Sequence, residues 1–157
     1  YGEIDSYKKL AKAIVARREE RLWTTTKEFS ELCERVVPNR RRTGPPSSTL
    51  CFQALRIAVN DELSELEKAI LSGIKILKKG GRICIISYHS LEDRIVKNIF
   101  RREATECLCE VKLPICTCKH IASLKLINKK ALKPSEEEIK MNRRSSSAKF
   151  RVAEIII

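Results

Sequence analysis

"GGRICIISYHSLEDR", residues 80–94, decides how the chain is read. Two glycines open it, and the apolar run Ile83, Cys84, Ile85, Ile86 follows. The run breaks into Ser87-Tyr88-His89-Ser90 and then into Glu92, Asp93 and Arg94. Four consecutive apolar residues rich in β-branching, without alternation, predict a strand buried on both faces, the pattern of a parallel sheet. Downstream, "SLEDRIVKNIFRR" restores helical spacing through Leu91, Ile95, Ile99 and Phe100. Upstream, one long helix is predicted over 49–77, with Leu63, Leu66, Ile70, Ile74 and Leu77 along its apolar stripe. It closes on Lys78-Lys79 and then glycine, basic charge and a flexible residue at a helix C-terminus. Helix, Gly-Gly, strand, helix is an α/β arrangement.

In open α/β sheets, ligands bind beyond the carboxyl ends of the strands, and residues 87–94 hold that place for the strand 82–87. Ser90 with Asp93 three residues on also has the spacing of a helix N-cap, which accounts for both without chemistry. Arg94 has an equally plain role, pairing with a carboxylate on the helix surface. Capping does not explain Tyr88 or His89. A histidine at a strand end is a candidate ligand or proton acceptor.

Toward the N-terminus, residues 5–20 place Tyr7, Leu10, Ala11, Ile14 and Val15 on one helix face and Lys8, Lys9, Lys12, Arg17 and Arg18 on the other. A second helix opens at "TTTKE", where Thr25 and Glu28 have capping-box spacing, and shows Phe29, Leu32, Cys33, Val36 and Val37 on one face. "PNRRRTGPPSS" (38–48) is a linker by composition, and its Arg40, Arg41 and Arg42 are candidates for RNA contact. Toward the C-terminus, 123–129 and 148–157 are expected as an edge pair of strands finishing the sheet.

Lys and Arg outnumber Asp and Glu by 32 to 20, a formal charge of +12, which points to a polyanionic partner. No apolar run approaches the roughly 20 residues of a membrane span, so no membrane partner is expected. The first stretch is amphipathic and charged, unlike a secretory signal. Seven cysteines without an export signal predict a cytoplasmic, reducing setting. Cys33, Cys51 and Cys84 sit within helix or strand patterns as buried thiols. Cys107, Cys109, Cys116 and Cys118 form two Cys-x-Cys pairs in a loop at 107–118, a spacing that offers four thiolates to zinc. Free or redox-sensitive thiols are the competing reading.

"GGRICIISYHSLEDRIVKNIF" resembles a signature of the bacterial MraW family, S-adenosylmethionine-dependent methyltransferases that modify the exocyclic N4 of a cytidine in small-subunit ribosomal RNA. "YKKLAKAIVARRE" and "WTTTKEFSELCERVVP" resemble the family's helical insertion, "CFQALRIAVNDELSELEKAI" its helix returning to the catalytic domain, and "NRRSSSAKFRVAE" its C-terminal strand. Two departures stand out. Before Phe52 the family reads His-Pro-Ala-Thr-Arg-Thr, whereas this chain has Pro46-Ser47-Ser48-Thr49-Leu50-Cys51. Leu50 therefore replaces an arginine whose rigid donor fork suits phosphate or carboxylate. Tyr88 stands where phenylalanine is usual.

The resemblance implies the C-terminal part of a Rossmann-like methyltransferase domain, an α/β fold with a small all-α insertion: residues 1–45 helical, 46–157 catalytic. The family's glycine-rich cofactor loop lies N-terminal to these blocks and cannot be built from Gly2, Gly44, Gly73, Gly80 and Gly81. The chain is therefore expected to be a fragment, inactive alone, with no S-adenosylmethionine ligands of its own; a natural truncation that kept RNA binding and lost catalysis is the alternative. His89, Glu92 and Ser87 are the expected catalytic group. Tyr88, Asp93, Arg94 and the three arginines 40–42 are expected on the RNA side. A non-catalytic RNA- or ribosome-binding module and a zinc-stapled interaction domain are the alternatives. The oligomeric state stays open, a homodimer included.

Overall fold

The structure, a computed structural model, describes residues 1–37, 45–109 and 117–157. It divides into two compact units, Tyr1–Glu62 and Leu63–Ile157. The division falls later than the linker at which residues 45 and 46 were expected to part.

The first unit holds three helices, α1 (Tyr7–Glu20), α2 (Thr26–Val36) and α3 (Ser47–Asn60). Thr25 caps α2 as its spacing predicts, its side chain accepting the Glu28 N–H at 3.3 Å. Leu10, Phe29, Leu32, Cys33, Val36 and Cys51 are buried together, with Trp23 packed at the margin. Trp23 meets Phe29 edge-on at 5.5 Å between ring centroids. Only part of the α1 stripe is buried: Tyr7 and Val15 are exposed. Burial pushes the Cys33 thiol up to about 12 and raises that of Cys51, so both are protonated core groups.

Pro46 cannot cap α3 with a side chain, and a residue of α2 does it instead: Glu34 accepts the Ser48 N–H at 2.8 Å. That bond holds the Glu34 carboxyl below its ordinary range. Glu34→Ala should lower the unfolding free energy by about 1 kcal/mol in urea titration, the usual cost of a lost cap.

The expected single helix over 49–77 is broken. Helix α3 ends where Asp61 turns left-handed, at φ 50°, and α4 (Glu62–Ile76) starts anew. Aspartate tolerates that backbone better than most residues. The Glu62 carboxylate, drawn to Arg56 at 2.7 Å and Asn60 at 3.2 Å, holds the break.

The second unit contains α4 beyond its first residue, β1 (Arg82–Ser87), α5 (Ser90–Glu103), β2 (Leu124–Leu126), α6 (Glu136–Met141), a 3-10 turn at Arg143–Ser147 and β3 (Lys149–Ile155). Gly80 takes φ +82°, and its N–H reaches Ile155 at 2.8 Å, so the Gly-Gly turn delivers β1 to β3. The sheet order is β1-β3-β2, with both pairings antiparallel. The parallel expectation for β1 is thus corrected among the described residues. Its cause is visible in the burial. Ile83 and Ile85 pack into the core, whereas Cys84 and Ile86 lie exposed on the opposite face. A continuous apolar run says nothing of pairing direction, and here one face is covered. Cys84 is correspondingly not the buried thiol its pattern suggests.

Ile70 of α4, Val96, Ile99 and Phe100 of α5, Leu124 of β2 and Ala153 and Ile155 of β3 form the core of this unit. The tail strands pair with each other as expected, but β3 lies in the centre of the sheet and not at an edge. Helix α6 was missed. Its signal was present, since Ser135 accepts the Glu138 N–H at 3.1 Å, a Ser-x-x-Glu start.

Candidate functional site at the end of strand β1

Strand β1 ends at Ser87, opposite Lys149 of β3, and its side chain is carried inward with those of Ile83 and Ile85. Ser87 is 2% exposed, and its hydroxyl oxygen has no hydrogen-bond partner among the described residues. His89 follows in extended backbone and is the N-cap of α5. The expected cap by Ser90 and Asp93 is corrected: Ser90 is the first residue of α5, and the reaching side chain is that of Glu92. One Glu92 carboxylate oxygen accepts the backbone N–H groups of Tyr88 at 2.9 Å and His89 at 3.4 Å. Both amides are orphan donors at a helix start, and the carboxylate also meets the positive end of the helix dipole.

The other Glu92 oxygen lies 3.1 Å from Nε2 of His89. Neither ring nitrogen makes an aligned hydrogen bond among the described residues, and both are buried. A carboxylate beside Nε2 favours the proton there, which leaves Nδ1 as the acceptor. Glu92 thus stands beside the His89 ring as well as capping the helix.

Asp93 turns to β3. It accepts Arg151 at 2.7 Å and 3.3 Å through two guanidinium nitrogens, and Lys149 at 3.3 Å. Arg151 and Asp93 side chains are 10% and 13% exposed. The Arg151 guanidinium holds the Asp93 carboxyl below its ordinary range, against the opposing effect of burial. An ion pair thus pins the first turn of α5 to the centre of the sheet. Lys149 and Arg151 were not anticipated as part of this group. The signal was an arginine alternating with Ala153 and Ile155 on the inward face of a strand, since a buried charge requires a partner.

The structure brings Ser87, His89, Glu92 and Asp93 together. Tyr88 and Arg94 are exposed beside them. Arg40, Arg41 and Arg42 lie outside the described residues, as does Cys116. The described residues provide no glycine cradle for a sulfonium nucleoside. A Cβ on Gly2 would meet the Leu50 carbonyl at 2.8 Å and one on Gly81 the Lys78 carbonyl at 2.8 Å, so both glycines answer to the close approach of this chain's own backbone. Gly80 and Gly81 sit at the opposite end of β1 from His89.

In the first unit, an open cleft of about 770 Å³ is lined by Tyr1, Ile4, Tyr7, Leu10, Ile14 and Leu55 among others. Sequence reading did not single it out, because its walls come from three separate stretches. In the second, Cys107, Cys109 and Cys118 bring their sulfurs within 4.8 Å of one another. The Thr117 backbone N–H is the main influence pulling the Cys109 thiol down to about 6.

The sequence model of a family described as the MraW methylase family matches residues 1–156. Among curated proteins, the chain is 50% identical to the ribosomal RNA small subunit methyltransferase H of Caldicellulosiruptor saccharolyticus, over 99% of this chain and 50% of that protein. The protein of the same name from Carboxydothermus hydrogenoformans is 50% identical over 98% of this chain and 50% of its own length. That of Dehalococcoides mccartyi is 50% identical over 100% of this chain and 44% of its length. The chain spans about half the length of the curated relatives it matches.

Proposed function

The chain belongs to the MraW methylase family, and on that premise we propose that it is the substrate-facing half of an enzyme that methylates the exocyclic N4 of a cytidine in small-subunit ribosomal RNA, with S-adenosylmethionine as donor. The names of its relatives support the ribosomal RNA substrate. A charge of +12 suits a polyanion, and the basic face of α1 (Lys8, Lys9, Lys12, Arg18) is available to phosphate. The helical unit Tyr1–Glu62 forms the RNA side in this reading, and Leu63–Ile157 the catalytic side. An RNA substrate fits a cytoplasmic protein.

One observation carries the catalytic assignment. Ser87, at the carboxyl end of β1, is buried with no hydrogen-bond partner among the described residues, and the buried ring nitrogens of His89 beside it have only the Glu92 carboxylate, near Nε2. Such groups are costly, and a site awaiting a ligand is a standing explanation for them. The amino group of cytosine is a weak nucleophile, because its lone pair is delocalised into the ring. S-adenosylmethionine supplies an electrophilic methyl group when bound. The residues of this chain bind and orient the base, which must leave its stack to be reached. His89 Nδ1 accepts an N4–H bond, turning the amino group so that its lone pair faces the donor. It then holds the proton that becomes acidic as the nitrogen gains its substituent. Glu92 keeps the imidazole proton on Nε2 throughout, and the Ser87 hydroxyl closes the pocket. Asp93 acts as a positioning residue through Arg151, and Tyr88 and Arg94 face the RNA.

In the complete enzyme, His89→Ala should lower methyl incorporation into small-subunit RNA about tenfold to a hundredfold, the worth of one lost acceptor in a dry site. RNA binding measured separately should be unchanged, and His89→Asn, which keeps an acceptor, should recover part of the rate. Full activity in a folded His89→Ala enzyme would defeat the assignment.

A further inference from the structure

We propose that Cys107, Cys109 and Cys118 form a thiolate site for zinc that ties the segment leaving α5 to the segment approaching β2. The site does not rest on the methyl-transfer reading, and it lies on residues that reading leaves unused. The Cys107 and Cys118 sulfurs are 4.0 Å apart, and all three sulfurs lie within 4.8 Å of one another. Zinc–sulfur bonds of about 2.3 Å put thiolates about 3.8 Å apart in a tetrahedral site, so a small contraction seats the ion.

Backbone groups support the sulfurs. The Leu108 N–H donates to Cys118 Sγ at 3.3 Å, and the Cys109 N–H donates to Cys107 Sγ at 3.4 Å. Amide donors aimed at sulfur stabilise thiolate charge and orient the ligand, the outer-shell role that metal sites require. Both donors and two of the three sulfurs come from one short stretch, 107–109, and the third sulfur from across the loop. Cys116, the remaining cysteine of the pattern, lies outside the described residues, and the three sulfurs leave one corner of the tetrahedron to a further ligand or water.

The surroundings favour a structural staple. Leu108 is 39% exposed and Ile121 is 74% exposed, so the described apolar residues flanking the sulfurs give them little packing. Its ends are tied to the helix by the Ser123 N–H to the Glu103 carbonyl at 2.8 Å and by the Ser123 hydroxyl to the Glu103 carboxylate at 2.8 Å. Soft thiolates select zinc over magnesium or calcium. Binding replaces thiol protons by the ion and releases those protons to solvent, without oxidation.

The test uses the reduced, chelator-stripped chain titrated with zinc alone in competition with a chromophoric chelator. One zinc per chain with a sub-micromolar Kd is expected, together with proton release, and cobalt(II) in its place should show sulfur-to-metal charge-transfer absorption. Cys107→Ser and Cys118→Ser should each weaken zinc binding at least tenfold, whereas Cys84→Ser on the exposed face of β1 should leave it unchanged. Should a variant fail to fold, the titration of the unaltered chain still decides. Absence of stoichiometric zinc in the reduced chain, or binding indifferent to Cys107→Ser in a folded protein, overturns the proposal.

Discussion

Asp93→Ala is expected to lower the unfolding free energy by about 3 kcal/mol, the low end for breaking a buried ion pair. The loss comes mainly from what remains. Arg151, 10% exposed and on the central strand, would keep its charge without the carboxylate that now meets two of its nitrogens. Lys149 would lose the same partner. Asp93→Ala combined with Arg151→Met should therefore recover most of the loss, because an apolar pair of similar shape needs no solvation. Urea titration of the two variants against the parent decides this, and a double variant no better than the single would show that the pair itself is net stabilising. The pH dependence has a definite sign. The Asp93 carboxyl is held below its unfolded value, so its contribution is complete above the ordinary carboxylate range. It is lost only as pH falls through the lowered folded value, and the Asp93→Ala protein should lack that part of the acid transition. On the proposed reading, the same variant should also slow methyl transfer, since the first turn of α5 carries Glu92 beside His89.

Phe100→Ala should cost more, about 3–5 kcal/mol. The ring is 2% exposed and belongs to the core that joins α5 to α4, β2 and β3. Truncation removes most of its buried apolar surface and leaves a cavity among Ile70, Val96, Ile99 and Leu124, which have few ways to close it. Phe100→Leu should cost less than half as much. A shift in the urea midpoint without a change in slope would identify lost packing, whereas a lower slope would indicate a partly unfolded native state. An exposed neighbour on the same helix, Lys97, should tolerate alanine with little change, which makes it the internal control.

Much of the local structure was legible. The Thr25–Glu28 spacing placed α2, the leucine and isoleucine spacing placed α5 and marked α4 without its start, and the run after Gly81 placed β1, each through short-range sterics and capping. The family signature over 80–100 located the candidate site as well. Its inner arrangement was not legible. The Ser90–Asp93 spacing fits a cap as well as Glu92 does, and only the partners available in space separate them: Asp93 finds Arg151, some 58 positions away, and Glu92 is left to the helix end.

The sequence by itself determined the family, the helices that its apolar spacing marks, the strand that carries the candidate site, and the basic character of the chain. These depend on period, local backbone chemistry and composition, all of which act over a few residues. The tertiary structure decided the rest: the antiparallel pairing of β1 with β3, the cap of α3 by Glu34, the break at Asp61, the Asp93–Arg151 pair and the meeting of three sulfurs across a loop. Each of these is a contact between residues whose affinity depends on distance in space and on exclusion of water, and neither quantity is written in the order of the chain.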